Sequence, residues 1–169
     1  MENPEYKVID NFLEKEFFFM FKKHIEHEDF PWRRRFNFTL NSKVDKGYFT
    51  HSIFNEFKIN SSNLYENNLM PILNKLKVKS VIQARINMFL TDFIFEKYTM
   101  YHQDYPFNSN TAILNFTDCD GGTQLKLNNE EVEIKSKENR IIIFNSLINH
   151  RTIKPSNSDI RYILNLNYF

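Results

Sequence analysis

The chain has 169 residues, 41% hydrophobic and 25% charged, with 22 basic against 21 acidic side chains and a formal net charge of +1. It is long enough for one substantial core and too short for two ordinary domains, and near-neutral charge excludes a dedicated non-specific binder of nucleic acid or of an anionic membrane. Aromatics reach 16% while only 3 Gly and 5 Pro are present, which excludes collagen-like, elastic and low-complexity classes. A single cysteine, Cys119, rules out an internal disulfide and a thiolate zinc site, so the chain reads as reduced, intracellular and cytoplasmic. No apolar run approaches the roughly 18 residues of a membrane span, and the polar start carries no secretion signal.

The expected elements follow in chain order. Residues 6–9 form a short β-like run, and Asp10 or Asn11 is positioned to cap a helix whose apolar positions are Phe12, Leu13, Phe17, Met20 and Phe21, with Glu14 completing a capping box. Residues 32–40 and 48–54 read as strands. Residues 63–77 read as a helix that starts at, or is kinked by, Pro71. From Val81 onward, short apolar segments alternate with turn residues: 81–90, 100–104, 111–116, 123–127, 131–135, 140–144 and 161–168. Asp120-Gly121-Gly122 and Asn128-Asn129 supply turn residues that tolerate positive φ. The expected architecture is mainly β within an α+β chain: a jelly roll with supporting N-terminal helices, one domain over residues 1–169, with 1–80 as support and 81–169 as core.

Four residues carry the chemistry. His102 and Asp104 are separated by one residue, and side chains at i and i+2 of a strand share a face, so an imidazole and a carboxylate can converge on one metal ion. The alternative is a surface pair at a strand end. His150 follows the strand at 140–144 and can return beside that pair, giving two histidines and one carboxylate on one side of a metal, an arrangement suited to non-haem Fe(II) with open positions. Arg161 begins the last strand, and alternation puts Ile163, Asn165 and Asn167 on its face; an arginine on an inward face calls for a buried anion. Its alternative is an ordinary salt bridge to Asp159. Asn115, with Thr111 and Ile113, and Asn165, with Arg161, can line a pocket or satisfy strand ends. His24 and His27 read as a solvated helix face, His51 as structurally hydrogen-bonded, and Arg33, Arg34 and Arg35 as a solvated edge strand.

In this order, His102-x-Asp104, His150 and Arg161 resemble the iron(II)- and 2-oxoglutarate-dependent dioxygenases, whose fold is a double-stranded β-helix. Residues 6–13 resemble the first strand and helix start of prolyl-hydroxylase-like members. Phe49-Thr-His51, Arg85-Ile-Asn87, Gly121-Gly-Thr123 and the segments 139–144 and 161–169 resemble small phage-encoded oxygenases of the group. The resemblance implies that His102, Asp104 and His150 hold Fe(II), that 2-oxoglutarate chelates the iron, and that Arg161 takes its distal carboxylate. Asn87, Tyr98, Asn115 and Asn165 are the further cofactor-binding candidates. Plant-type members carry a serine two residues beyond this arginine, where Ile163 stands here, so the second partner of that carboxylate is open. O2 would be consumed, succinate and CO2 released, with ascorbate as reductant, and Asp104 favours hydroxylation over halogenation because family halogenases lack that acid. The expected substrate is a peptide, a protein or a small molecule, selected by loops at 91–98 and 105–110, and the setting is the host cytoplasm if the chain is phage-encoded. The alternatives are a non-catalytic jelly-roll binding module and, on the same fold, an oxidative nucleic-acid demethylase.

Overall fold

In the computed structural model the described residues are 5–36, 47–93, 96–128 and 130–169. Strand β1 (Tyr6–Ile9) leads to helix α1 (Lys15–Ile25), then β2 (Arg33–Arg35), β3 (Tyr48–Asn55) and β4 (Lys58–Ile59). A helical stretch follows as α2 (Ser62–Leu64), a π-helical turn (Tyr65–Leu69) and α3 (Met70–Leu76). The remaining strands are β5 (Val81–Leu90), β6 (Asn110–Asn115), β7 (Gly122–Lys126), β8 (Glu131–Lys135), β9 (Arg140–Asn145), β10 (Asn149–Ile153) and β11 (Ile160–Tyr168).

Eight strands form one antiparallel sheet in the order β1-β9-β6-β11-β5-β3-β2, with β4 paired to β3, and three form a second sheet in the order β10-β7-β8. This is the jelly roll expected from the strand spacing. Both faces of the large sheet are buried, and period-2 alternation sorts its side chains between them. Ala84, Ile86, Leu114, Ile141, Leu164 and Leu166 pack with Phe18, Phe21, Ile25, Leu69 and Ile72 of the helices. Phe89, Ile113, Ile142, Phe144 and Ile163 turn the other way, joining Leu125 and Ile134 of the small sheet. Consecutive apolar runs such as Ile141-Ile142-Ile143 are therefore required, because each neighbour serves a different core. Among the described residues no helix is long and apolar enough to cross a membrane.

Several local expectations are corrected. Helix α1 begins at Lys15 with no side-chain cap; Asn11 has φ 51 and Glu14 occupies the cap position without forming a capping box. The segment before it is clipped instead by Asn139, whose side chain accepts from the Leu13 amide at 2.8 Å and donates to the Leu13 carbonyl at 2.7 Å. Phe18, Phe21 and Ile25 make the buried stripe of α1, Phe12 and Leu13 are buried ahead of the helix, and Met20 is exposed. Pro71 sits in the first turn of α3, just after the π turn, so its missing N–H falls at a break between helical segments. Residues 100–104 form no strand, only a single bridge between His102 and His150. Gly121 and Gly122 are not a positive-φ turn. Gly122 opens β7, and a Cβ there would stand 2.1 Å from the Ile134 carbonyl oxygen; at Gly121 it would meet the Ile153 oxygen at 2.7 Å. Close strand approach demands these glycines. Residues 37–40 of the expected strand 32–40, residues 94–95 of the expected mouth segment and Asn129 of the expected turn lie outside the described residues.

Candidate metal centre

Two short backbone features bring the three ligand candidates together. The His102 amide donates to the His150 carbonyl at 3.0 Å and the His150 amide to the His102 carbonyl at 2.9 Å. This reciprocal pair sets the two imidazoles side by side, ring centroids 4.4 Å apart, at the edge of the small sheet. Asp104 follows two residues after His102, and one ligand atom from each of the three residues lies within 4.8 Å of the others. Asp104 Oδ1 is 4.0 Å from His102 Nε2 and 3.8 Å from His150 Nε2, too far for hydrogen bonds and close enough to share one ion.

The protein holds each group in a ligating state. His102 Nδ1 lies 3.3 Å from the Met100 carbonyl and His150 Nδ1 3.1 Å from the Ile148 carbonyl, so each Nδ1 donates to backbone and each Nε2 is the nitrogen left facing Asp104. Burial, reinforced by His150, pushes the His102 imidazole down to about 4, which keeps it neutral at physiological pH. Burial alone would raise the Asp104 carboxyl, but neighbouring His150 and Arg85 and a hydrogen bond from Asn167 outweigh it and hold the group below its ordinary value. Asp104 Oδ2 accepts from Asn167 Nδ2 at 2.9 Å, Thr111 Oγ1 at 3.1 Å and Asn165 Nδ2 at 3.4 Å. Only Oδ1 remains directed at the histidines.

Arg161 lies behind this group on β11 with no exposed surface. Its Nη2 donates to Asn115 Oδ1 at 2.9 Å and Thr123 Oγ1 at 3.2 Å, while Nε and Nη1 are buried without a partner. Among the described residues no carboxylate lies within 4.0 Å of it, and burial pulls the guanidinium down to about 10. A buried cation without an anion is costly, so this guanidinium stands out electrostatically from the rest of the interior. A cavity of about 310 Å³ is walled by the three ligand candidates and by Asn87, Thr123 and Asn165.

Solved structures share this architecture. A prolyl hydroxylase from Trichoplax adhaerens, solved with a hypoxia inducible factor oxygen degradation domain peptide fragment, is similar over 98% of this chain and 83% of its own, with a TM-score of 0.73 and 15% identity. A prolyl-4-hydroxylase from Pseudomonas putida matches 97% of this chain and 91% of its own at TM-score 0.66 and 10% identity. The viral collagen prolyl hydroxylase of Paramecium Bursaria Chlorella virus-1, in its 2OG complex, matches 98% and 96% at TM-score 0.56 and 14% identity. The chain has the fold of the 2OG-Fe(II) oxygenases. No family model and no curated protein sequence matches it.

Within this oxygenase fold the other sequence candidates separate. Asn87 and Asn165 line the cavity; Asn87 Oδ1 accepts from Thr50 Oγ1 at 2.9 Å, and Asn165 Oδ1 is buried without a partner. Asn115 instead backs Arg161, its Nδ2 donating to the Arg140 carbonyl at 3.1 Å. Tyr98 turns away from the cavity, its hydroxyl donating to Glu133 at 2.7 Å and its ring lying 4.1 Å from the Arg151 guanidinium, because the one bridge it makes, to Ile153, ties it to the edge of the small sheet. His51 Nδ1 faces the Pro31 carbonyl at 3.2 Å, a structural contact. Among the described residues His24 and His27 join no group of metal-ligating side chains. Sequence reasoning assigned no role to Asn167, Thr111, Thr123 or Arg85; the signal for Asn167 was its alternation with Arg161 on β11, and for Arg85 its alternation with Asn87 on β5.

Proposed function

We propose that the protein is an Fe(II)- and 2-oxoglutarate-dependent dioxygenase that hydroxylates a peptide, protein or small-molecule substrate, releasing succinate and CO2. The observation that carries this reading is the pairing of two kinds of demand in one fold: a two-histidine, one-carboxylate set with its Nε2 and Oδ1 atoms converging, and a fully buried guanidinium with no acid beside it among the described residues. Both demands are met by one ferrous ion and one dicarboxylate.

In this reading His102, Asp104 and His150 hold the ion, which when bound supplies the redox chemistry that couples O2 reduction to oxidative decarboxylation of 2-oxoglutarate and to insertion of one oxygen atom into a substrate C–H bond. The protein's part is positional. Asn167, Thr111 and Asn165 occupy Asp104 Oδ2, limiting the carboxylate to one ligating oxygen. Arg161 offers Nε and Nη1 to the distal carboxylate while Asn115 and Thr123 steady its Nη2. Thr123, which lines the cavity and touches Arg161, is our candidate for the second partner of that carboxylate, since Ile163 has no donor. Asn87 offers an amide to the co-substrate, and Phe89, Ile113 and Ile163 line the cavity and keep it dry. A peptide substrate is supported by the peptide bound in the Trichoplax enzyme.

The test is anaerobic titration with Fe(II) and then 2-oxoglutarate, followed by air and measurement of succinate. Both bind, and succinate forms. In Arg161→Ala the metal still binds and 2-oxoglutarate affinity falls by about tenfold or more, whereas His102→Ala and Asp104→Ala lose the metal. A folded wild-type protein that binds neither ligand would overturn the reading.

A further inference from the structure

The charge around the cavity is not exhausted by the groups assigned above. In the proposed reading a divalent ion, a dianionic co-substrate, Asp104 and Arg161 cancel one another. The cavity wall carries three arginines, Arg35, Arg85 and Arg151, and among the described residues its only carboxylate is Asp104. Arg151 is accounted for: its Nε donates to Gln124 at 2.6 Å, its Nη2 is 3.7 Å from Glu131, and Tyr98 and Tyr101 each face its guanidinium at 4.1 Å. Among the described residues no carboxylate lies within 4.0 Å of Arg85 or Arg35.

Arg85 occupies a specific place. It alternates with Asn87 and Phe89 on the cavity face of β5 and pairs across the ladder with Asn165 of β11, the residue next to Asp104. Its Nε is buried without a partner, leaving a donor of the fork free. It is near enough to help hold Asp104 ionised and His102 neutral. Arg35, at the end of β2 and exposed, adds a second cation at the opening. Asp104 makes no ion pair with either arginine, because its Oδ1 faces the histidines and its Oδ2 is filled by three neutral donors.

We propose that the substrate of this site carries an anionic group, a carboxylate or a phosphate, which Arg85 receives beside the metal ligands while Arg35 draws it to the opening. This rests on the oxygenase reading above. The guanidinium fork suits either anion through two parallel hydrogen bonds, and an unbalanced positive cavity raises the local concentration of an acidic ligand. The reacting carbon then lies a short distance from an acidic substituent, which selects acidic side chains, phosphorylated residues or free carboxylates over neutral chains.

The experiment uses the full chain loaded with Mn(II) and 2-oxoglutarate and titrated by calorimetry with N-acetyl-L-aspartate, N-acetyl-O-phospho-L-serine and the neutral N-acetyl-L-asparagine. At least one anion binds about tenfold tighter than the neutral probe, and comparison of the two anions identifies the preferred group. Arg85→Gln removes that preference while the 2-oxoglutarate affinity changes by less than about threefold. Arg85→Lys, which keeps the charge and loses the fork, retains part of it and serves if the glutamine variant does not fold. Equal binding of anionic and neutral probes to the wild-type protein, or undiminished preference in a folded Arg85→Gln, would overturn the proposal. So would a tenfold or greater loss of 2-oxoglutarate affinity in Arg85→Gln, which would move Arg85 into the co-substrate site. Wild-type protein that takes up neither Mn(II) nor 2-oxoglutarate would instead sink the underlying oxygenase reading.

Discussion

The two oxygens of Asp104 are given to different partners, one to three neutral donors and one to the space between two imidazoles. Asn167 makes the shortest of those bonds and also donates to Thr111 at 3.0 Å, so it orients the carboxylate and the hydroxyl together. Asn167→Leu, similar in volume and without donors, therefore lowers metal affinity by about tenfold to a hundredfold, read by calorimetric titration with Mn(II). Arg161 has the opposite balance. On the proposed reading its burial without an acid among the described residues costs stability and serves 2-oxoglutarate binding, so Arg161→Met gives a melting temperature no lower than that of the unsubstituted protein while 2-oxoglutarate binding is lost; calorimetry on the metal-free and loaded forms checks both halves. At this scale the sequence was most legible where residue type is decisive. Two histidines, an aspartate and an inward arginine announce their chemistry by their donor atoms. A tyrosine near the ligands has two uses, packing or a hydroxyl for the co-substrate, and in this structure the Tyr98 hydroxyl donates to Glu133 of β8.

Strands and helices follow from local pattern, and their exact meeting points do not. Alternation along β11 correctly separates Arg161, Ile163, Asn165 and Asn167 from Leu164, Leu166 and Tyr168, since the pleat alone dictates it. Gly121 and Gly122 were read as turn residues because composition cannot distinguish freedom of φ from lack of a side chain. Gly122→Ala forces a Cβ against the Ile134 carbonyl and separates β7 from β8, at a cost of about 2–3 kcal/mol in chemical denaturation. Strand β1 is tied to the start of β9 by Asp10, which accepts from Arg140 Nε at 2.6 Å, Arg140 Nη2 at 3.0 Å and Lys137 Nζ at 3.0 Å. Hydrogen bonds from Arg140 and then Lys137 hold the Asp10 carboxyl at about 2, below its ordinary 3.8. The folded value is depressed, so the contribution is complete above about pH 4 and is lost as pH falls toward about 2. Because Asp10 is 35% exposed, solvent screens the cluster, and Asp10→Asn costs about 0.5–1 kcal/mol in urea at pH 7, a gap that narrows at pH 3.

The whole molecule places two cores on either side of one sheet and leaves a polar cavity at the end of the inner one. Ligands that bridge the small and large sheets act on the folded state alone, so Mn(II) with 2-oxoglutarate at a hundred times its dissociation constant stabilises the protein by about 2.7 kcal/mol, and a chelator reverses the gain; a thermal melt with and without chelator measures it. Strand-rich composition, the close spacing of apolar segments and the order of the ligand residues were set by the sequence itself, because secondary-structure period and donor chemistry depend on near neighbours and residue type. Tertiary structure alone decided that Asn167 serves Asp104 across 63 residues, that Asn115 and Thr123 stand against Arg161, and that Arg85 shares a cavity with the candidate ligands and has no ion pair among the described residues. Those meetings depend on which strands become neighbours and in what register, and a burial penalty on charge exists only once the sheets have closed around it.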